Sequence, residues 1–337
     1  MRVANYVPFL REHGIALDYR PTLSAEQYRL LTSEVSPARK AAAVMSGARH
    51  AVLRRPSHDL FLVHRLRLLS PLPGVDPPLR LDAYDLDDAL FLGSPAEANL
   101  RFQWAKQEAR RCIACLRRAR LVIAGNSFLA SHAAEHARRV EVIPTCVNPA
   151  RQPLHDHRAA EVVTLGWIGS HTTSVYLKPI LPVLAAINAN RLRARMVVVG
   201  GDTGVREPWI EHRAWSLEEE PAMLASFDVG VMPLPETDWA RGKCGYKILQ
   251  YFSAGVPAIA SPVGVAGELT ADGRGLTAAT PGQWRTALEQ LIAGPGERRE
   301  RGEAVRTFVE RHYSYQRWAP ELAELFKSLG GSRLDRG

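Results

Sequence analysis

The segment 240–264, ARGKCGYKILQYFSAGVPAIASPVG, carries the residue types of a phosphate-binding turn. Backbone N–H groups and about half a positive charge at a helix N-terminus suit phosphate, and glycine lets the backbone come close. A lysine can neutralise the charge that grows on a departing diphosphate. An ordinary strand-to-helix turn with surface lysines explains the same pattern. The residues that enter the apolar helical run are Lys243, Cys244, Gly245, Tyr246 and Lys247.

Three aspartates, Asp85, Asp87 and Asp88, follow an apolar segment in the first half of the chain. Carboxylate oxygens are ligands that hard cations prefer, so one hypothesis is a metal site. The interpretation we favour is that the turn contacts substrate hydroxyls, and the third is a structural cap. His64 and Arg65 end the apolar run DLFLV, and functional and structural interpretations of this pair stay open.

Other pairs of reactive residues lack the rest of a known pattern. Cys112 and Cys115 have the spacing of half a zinc site, but no second pair follows. His132 and His136 share a helix face without the glutamate of a zinc protease. The glycines of VVVGGDTG (197–204) have the wrong spacing for a dinucleotide site. All these residues are interpreted as structural.

Strands that alternate with helices predict an α/β chain with parallel, doubly wound sheets. In the first half, strands are predicted at 2–9, 59–65, 79–86, 121–127 and 140–145, and helices at 24–31, 37–54, 97–120 and 128–138. In the second half, strands are predicted at 162–169, 194–200, 209–215, 228–234 and 258–261, and helices at 176–190, 218–226, 246–254, 281–293, 297–312 and 315–329.

The length of 337 residues predicts two domains, since a single core rarely serves so long a chain. The polar segment 148–161 is the best linker candidate. Ligands of open parallel sheets bind outside the carboxyl ends of the strands, so the strand-to-helix turns are the places where a site is expected. The predicted domains are 1–150, 151–314 and a final helix and tail at 315–337.

The signature K-C-G-x-K-x-L-Q-Y-x-x-A-G-x-P-x-x-A-S-P-V-G resembles that of retaining glycosyltransferase family 4, in its bacterial branch. GELTADGRGLTA (267–278) and GWIGSHTT (166–173) are similar to two further elements of the family's nucleotide domain, and YDLDDALF (84–91) and RLVIAGNSFLA (120–130) to its N-terminal domain. The resemblance implies the GT-B fold, in which two Rossmann-like domains face a central cleft. The N-terminal domain would bind the acceptor, the C-terminal domain would bind the donor, and the last helix would cross back to the first domain.

The resemblance also implies which residues act. The family's paired glutamates, E-x7-E, fall on Gly242 and Gln250, so a neutral amide stands where the ribose is usually held. The nucleotide base would lie near Trp215–Leu217 and Met232–Leu234. The catalytic residues implied are Asp85, Asp88 and Lys243. The donor-binding residues implied are Gly14, Arg20, Gly169, Ser170, His171, Trp215, Lys243, Cys244, Gly245, Tyr246, Lys247 and Gln250.

The activity implied is transfer of a sugar, with retention, from a nucleotide-sugar to an acceptor hydroxyl. UDP or dTDP is the expected nucleotide, and no cofactor or metal is expected. A soluble oligosaccharide or natural product in antibiotic biosynthesis is the favoured acceptor. The alternatives are a cell-envelope polysaccharide, a sugar-nucleotide epimerase of the same fold, and a catalytically idle nucleotide-binding subunit.

The composition agrees with such a protein. The chain is 46% hydrophobic and 23% charged, with no apolar run long enough for a transmembrane helix and no secretory signal. The net charge of +8 comes from dispersed arginines without the interleaved aromatic residues of a nucleic-acid binder. The four cysteines indicate a reducing, cytoplasmic setting. Nucleic acid is not an expected partner, and peripheral contact with a membrane is possible but not favoured.

Overall fold

The structure is a computed structural model that describes residues 2–21, 58–65, 81–93, 108–158 and 160–334, with isolated positions between 24 and 46. The chain divides into two compact units. Unit 1 comprises Met1–Ile143 and Ala319–Gly337, and unit 2 comprises Pro144–Trp318. The helices predicted at 24–31 and 37–54, and the first part of the one at 97–120, lie largely outside the described residues.

Unit 1 contains a sheet of four parallel strands in the order β1-β2-β3-β4. Its second and third strands are fully buried, as expected for a parallel sheet that is covered on both faces. The strands are β1 (Leu62–His64), β2 (Ala83–Leu86), β3 (Leu121–Ala124) and β4 (Val140–Val142), and the helices are α1 (Val7–Glu12), α2 (Glu108–Arg118) and α3 (Ser127–Ala134).

The strand predicted at residues 2–9 is wrong, because these residues form a 3-10 turn followed by α1. Pro8 lies in the first turn of α1, where its missing N–H costs nothing, whereas in a strand it would remove a ladder hydrogen bond. Arg2 gives a further reason, since its buried guanidinium binds the carboxylate of Asp85 on β2. The alternating apolar residues of this segment therefore belong to a helical turn that packs on the sheet.

Unit 2 contains a six-stranded parallel sheet in the order β10-β9-β8-β5-β6-β7. The strand order reverses between β5 and β8, and such a topological switch point is where open α/β sheets bind their ligands. The strands are β5 (Val163–Ile168), β6 (Ala194–Val199), β7 (Ile210–Arg213), β8 (Val229–Met232), β9 (Ala258–Ala260) and β10 (Leu276–Thr277).

The helices predicted for unit 2 are present, and two short helices, Asp238–Arg241 and Val265–Thr270, were not predicted. The helices of this unit are α4 (Leu181–Ile187), α5 (Glu220–Ala225), α6 (Asp238–Arg241), α7 (Tyr246–Ser253), α8 (Val265–Thr270), α9 (Pro281–Ala293) and α10 (Pro295–His312). The final helix, α11 (Tyr315–Leu334), begins in unit 2 and continues as part of unit 1. Among the helices that the structure describes, none combines the length and apolar character needed to cross a bilayer.

The linker candidate 148–161 is packed against unit 2 rather than free. The His155 amide donates to the Ala254 carbonyl at 2.8 Å, and its Nδ1 lies 2.9 Å from the Ala225 carbonyl oxygen. Burial alone would lower the pKa of His155, but hydrogen bonds to Asp228 and Ala225 outweigh it and raise the pKa. The polar composition that indicated a linker therefore serves specific contacts on the sheet's amino-terminal side.

Candidate functional site

The site in unit 2 is built on the turns that follow β5, β6, β7 and β8, next to the switch point. Helix α7 begins at Tyr246, as the sequence predicts, and it is buried along most of its length. Its N-cap, Gly245, has φ of 66°, a left-handed conformation that glycine adopts without strain. A Cβ at this position would lie 2.6 Å from Cδ1 of Leu269 and 3.0 Å from Cγ1 of Val265. Gly245 thus allows the start of α7 to pack directly on α8.

Lys247 extends from the first turn of α7 over the end of β5. Its Nζ lies 4.1 Å from the ring centroid of Trp167, a cation–π contact. Gly169 leaves the room for this ammonium, since a Cβ there would collide with Nζ and with the indole. Burial, and then repulsion from Lys243, lower the pKa of Lys247 to about 7. The lysine is therefore short of counter-charge, and an anion beside the α7 N-terminus would supply it.

Lys243 and Cys244 lie in the turn between α6 and α7. The Nζ of Lys243 is 5.6 Å from the ring centroid of Trp239. Cys244 is buried and forms no disulfide, and its role in donor binding stays a prediction. Tyr246 is half-buried, and burial together with the nearby Glu220 raises its pKa to about 12. The turn thus carries two ammonium groups at the start of α7, close enough for Lys243 to lower the pKa of Lys247.

Gln250 and Trp215 are joined by Glu220, the first residue of α5. The Glu220 carboxylate accepts from Nε2 of Gln250 at 2.8 Å and from Nε1 of Trp215 at 2.5 Å. Gln250 is only 6% exposed, whereas the Trp215 ring is 41% exposed although its indole nitrogen is anchored. The predicted residues Trp215 and Gln250 therefore lie together, connected by a carboxylate that the sequence analysis did not single out.

The turn after β5 contains the predicted residues Gly169, Ser170 and His171. Gly169 donates its amide to the carbonyl of Val199, which ties this turn to the end of β6. The side chains of Ser170 and His171 are exposed, and Ser170 caps no helix with its hydroxyl. Gly200 brings a second turn close, because a Cβ there would lie 2.5 Å from the Gly169 oxygen and 3.2 Å from Cβ of Trp215. Three of the predicted turns are thus neighbours.

Asp85 lies at the end of β2 in unit 1, where it is buried. Nε of Arg2 lies 2.9 Å and 3.1 Å from its two carboxylate oxygens, and Nδ1 of His64 lies 2.7 Å from one of them. His64 reaches it because the two residues are register partners on neighbouring parallel strands. These partners give Asp85 a clear structural role, and its catalytic role stays a prediction.

Asp87 and Asp88 hold Arg65, the residue that follows β1. The Arg65 guanidinium donates to Asp87 at 2.5 Å and to Asp88 at 2.8 Å. Burial alone would raise the pKa of Asp87, but the positive charges of Arg65 and His64 outweigh it and lower the pKa. The acidic turn is therefore a charge network with both arginine and histidine partners, and the catalytic role of Asp88 stays a prediction.

Gly14 and Arg20 belong to the segment that follows α1, not to a loop after a strand. Gly14 has φ of 78° and ends the helix. Arg20 is exposed and pairs with Asp18, which also contacts His58. Their role in donor binding stays a prediction, and neither belongs to the group of residues assembled in unit 2.

Three residues of the unit 2 site were missed by sequence reasoning: Trp167, Glu220 and Trp239. Trp167 stands between two glycines at the end of a predicted strand, a position whose side chain reaches the carboxyl edge. Glu220 is the last residue of the acidic run 218–220, a pattern that is typical of a solvent-exposed helix start. The two tryptophans could have been found from the position of the turns, but Glu220 could not, because its partner Gln250 lies 30 residues away in the sequence.

Comparison with known proteins gives a family match for part of the chain. Residues 162–294, which lie within unit 2, match the family model described as "Glycosyl transferases group 1". No curated protein sequence matches the chain significantly. The matched range includes the turns after β5, β6, β7 and β8 and the whole of α7.

Solved structures with the same fold match most of the chain. WaaG, a glycosyltransferase involved in lipopolysaccharide biosynthesis, superposes with a TM-score of 0.60 at 14% identity, covering 96% of this chain and 94% of WaaG. HepE of Anabaena, in complex with UDP and glucose, superposes with a TM-score of 0.58 at 15% identity, covering 95% of this chain and 88% of HepE. TarM of S. aureus gives 0.57 at 10% identity, covering 74% of this chain and only 50% of its own.

The chain thus spans half the length of TarM and most of the other two neighbours. Its two sheets of parallel strands flanked by helices are the α/β architecture of these proteins. The chain therefore has the GT-B fold, and its second unit carries the match to the glycosyl transferases group 1 family.

Proposed function

We propose that the protein is a glycosyltransferase that moves a sugar, with retention, from a nucleoside-diphosphate donor to an acceptor hydroxyl. The observation that carries the proposal is the position of Lys247. Its ammonium is held over Trp167 at the start of α7, beside the switch point, without a carboxylate within hydrogen-bonding distance among the described residues. A diphosphate placed there receives the α7 amides and this charge together.

The proposed chemistry uses these groups on the leaving diphosphate. As the bond between the sugar and the phosphate breaks, negative charge accumulates on the phosphate oxygen. Lys247, Lys243 and the first amides of α7 stabilise this charge in a partly desolvated site, where preorganised groups are most effective. The same phosphate oxygen takes the proton of the attacking acceptor hydroxyl. No covalent intermediate with the protein is required.

The favoured acceptor is a soluble oligosaccharide or natural product, as in the assembly of an oligosaccharide antibiotic of the avilamycin type. A cell-envelope acceptor is the second candidate, and it is favoured by the likeness to WaaG, which is involved in lipopolysaccharide biosynthesis. Transfer assays with soluble saccharides and with lipid-linked saccharides distinguish the two. Neither activity requires a metal or an organic cofactor in this proposal.

A thermal-shift screen of nucleoside diphosphates tests the proposal. We expect UDP or dTDP, and their sugars, to raise the melting temperature by several degrees, because a ligand at 100 times its Kd adds about 2.7 kcal/mol to stability. UMP is the matched control, since it keeps the base and ribose but lacks the second phosphate. A screen in which no nucleoside diphosphate raises the melting temperature above the UMP value contradicts the proposal.

The predicted catalytic role of Asp88 has its own test. In Asp88→Asn, Arg65 keeps its bond to Asp87, so the free energy of unfolding is expected to fall by about 1 kcal/mol or less. If Asp88 contacts a reacting sugar, the transfer rate falls about tenfold or more. Asp156→Asn, which removes an exposed carboxylate paired with Arg158, controls for the loss of charge. Equal rates in both variants would assign Asp88 to structure alone.

A further inference from the structure

Glu220 connects two parts of the unit 2 site, helix α7 and the turn after β7. One carboxylate oxygen accepts from Gln250, which lies one turn beyond Tyr246 on α7, and the other accepts from Trp215. Tyr246 is also close, since the charge of Glu220 contributes to its raised pKa. The carboxylate therefore stands between the start of α7 and the exposed indole of Trp215.

The order of groups in a nucleotide indicates which of them would lie beside Glu220. Base, ribose and diphosphate follow one another, so a diphosphate at the α7 N-terminus places the base one ribose away. Trp215 offers a suitable surface there, because its ring is 41% exposed and its orientation is fixed by the bond to Glu220. Exposed aromatic rings stack on bases of any kind. The group that lies beside Glu220 is then the ribose.

The carboxylate has the capacity to bind a ribose. An ionised carboxylate has about four acceptor sites, and Gln250 and Trp215 occupy two of them. Two vicinal hydroxyls supply two donors for the remaining sites, and bonds to a charged acceptor are stronger than those to a neutral one. The amide of Gln250 uses one of its two N–H groups on Glu220, and its oxygen is a neutral acceptor.

We propose that Glu220 binds the ribose 2′- and 3′-hydroxyls of the donor and so selects ribonucleoside over 2′-deoxyribonucleoside diphosphates. The proposal rests on the proposed function, because it takes the diphosphate to lie at α7. In this proposal the carboxylate that binds the ribose comes from Glu220 on α5, while its hydrogen-bond partner on α7, Gln250, is neutral. Within the proposed donors it selects UDP over dTDP.

Titration calorimetry with UDP and 2′-deoxy-UDP tests the proposal. The wild-type protein is expected to bind UDP about 10- to 100-fold more tightly, which is the scale of one lost hydrogen bond to a charged group. In Glu220→Gln the preference falls to within about threefold of unity, and the Kd for 2′-deoxy-UDP, which keeps only the 3′-hydroxyl bond to residue 220, rises less than the Kd for UDP. A role limited to holding Trp215 would weaken both ligands equally, and that result overturns the proposal.

Exchanging the two side chains sharpens the test. Gln250→Glu places two carboxylates 2.8 Å apart and is expected to weaken UDP binding, because like charges at that distance cannot both stay ionised. Adding Glu220→Gln restores one acid and one amide, and the preference for UDP returns. A double variant as unselective as Glu220→Gln alone counts against the proposal.

Glu219→Gln is the matched control, since it removes an exposed carboxylate one residue away and keeps the preference. A wild-type protein that binds UDP and 2′-deoxy-UDP equally overturns this inference and leaves the proposed function standing. A wild-type protein that binds neither overturns both.

Discussion

Lys247→Met is expected to lower the rate of sugar transfer by about 100- to 1000-fold, the cost of removing one preorganised charge from a leaving group. Lys247 belongs to the first turn of α7, and its ammonium lies over the ring of Trp167 on β5. Its charge is therefore held in a place that no neighbouring lysine fills. Methionine has a similar length and packs well on an aromatic ring. Loss of activity in this variant therefore reports the loss of charge rather than of packing. A rate within tenfold of wild type would contradict the role given to Lys247.

The same substitution is expected to stabilise the ligand-free protein at neutral and acidic pH. The pKa of Lys247 is lowered to about 7 in the folded state, against an ordinary value of about 10.4 in the unfolded chain. Between these values the unfolded state binds more protons, so the stability of the wild type rises with pH from about 7 to 10. Below pH 7 the full cost is present. Methionine does not titrate, so the advantage of the variant is largest below pH 7 and shrinks as the pH rises.

Urea unfolding at pH 6 and pH 9 measures this difference. Lys327→Met is the control, because that exposed lysine pairs with Glu324 on the last helix and its loss should leave both the rate and the pH dependence unchanged. Identical pH dependence in wild type and Lys247→Met would show that the ammonium is fully hydrated. Diphosphate binding to the wild type should in turn take up a proton near pH 8, since a bound anion raises the pKa of the lysine.

Local turn chemistry explains why the start and end of α7 could be predicted from the sequence. Gly245 precedes the helix and Gly255 follows it, and both have positive φ. These conformations depend on the glycines themselves, so they can be predicted without knowledge of tertiary contacts. Alternation of buried strands with helices likewise needs only the sequence pattern, which is why the predicted strands and helices of unit 2 occur in the predicted order. The short elements α6, α8 and β10 were not predicted.

Contacts between distant residues could not be predicted in this way. Lys247 meets Trp167, 80 positions earlier, only because β5 and α7 converge at the switch point. In the sequence, Gln250 stands where the related family has a glutamate, so a carboxylate is missing at that position. In the structure, Glu220 of another helix places a carboxylate beside Gln250. Residues 2–9 show the opposite error. Their pattern suited a strand, but Pro8 lies in the first turn of a helix and Arg2 binds Asp85.

Gly245→Ala is expected to destabilise the protein by about 2–5 kcal/mol and to weaken UDP binding more than tenfold. A left-handed conformation costs a residue with a Cβ about 1–2 kcal/mol, and overpacking a core adds about 1–3 kcal/mol. Both costs apply here, because φ is 66° and the new Cβ would lie 2.6 Å from the Leu269 side chain, which is itself fully buried. To relieve the contact, the start of α7 must move away from α8.

Gly273→Ala separates the two costs. Gly273 has φ of 77°, but no atom lies within 4 Å of its would-be Cβ, so only the backbone cost of about 1–2 kcal/mol applies. Urea unfolding of both variants therefore gives the packing contribution at Gly245 by difference, and calorimetry with UDP shows whether moving the α7 amides removes binding. If Gly245→Ala loses stability yet binds UDP as tightly as Gly273→Ala does, the first turn of α7 does not hold the diphosphate. In that case the charge of Lys247 must act on a different part of the ligand, because the amides and the ammonium share this single turn.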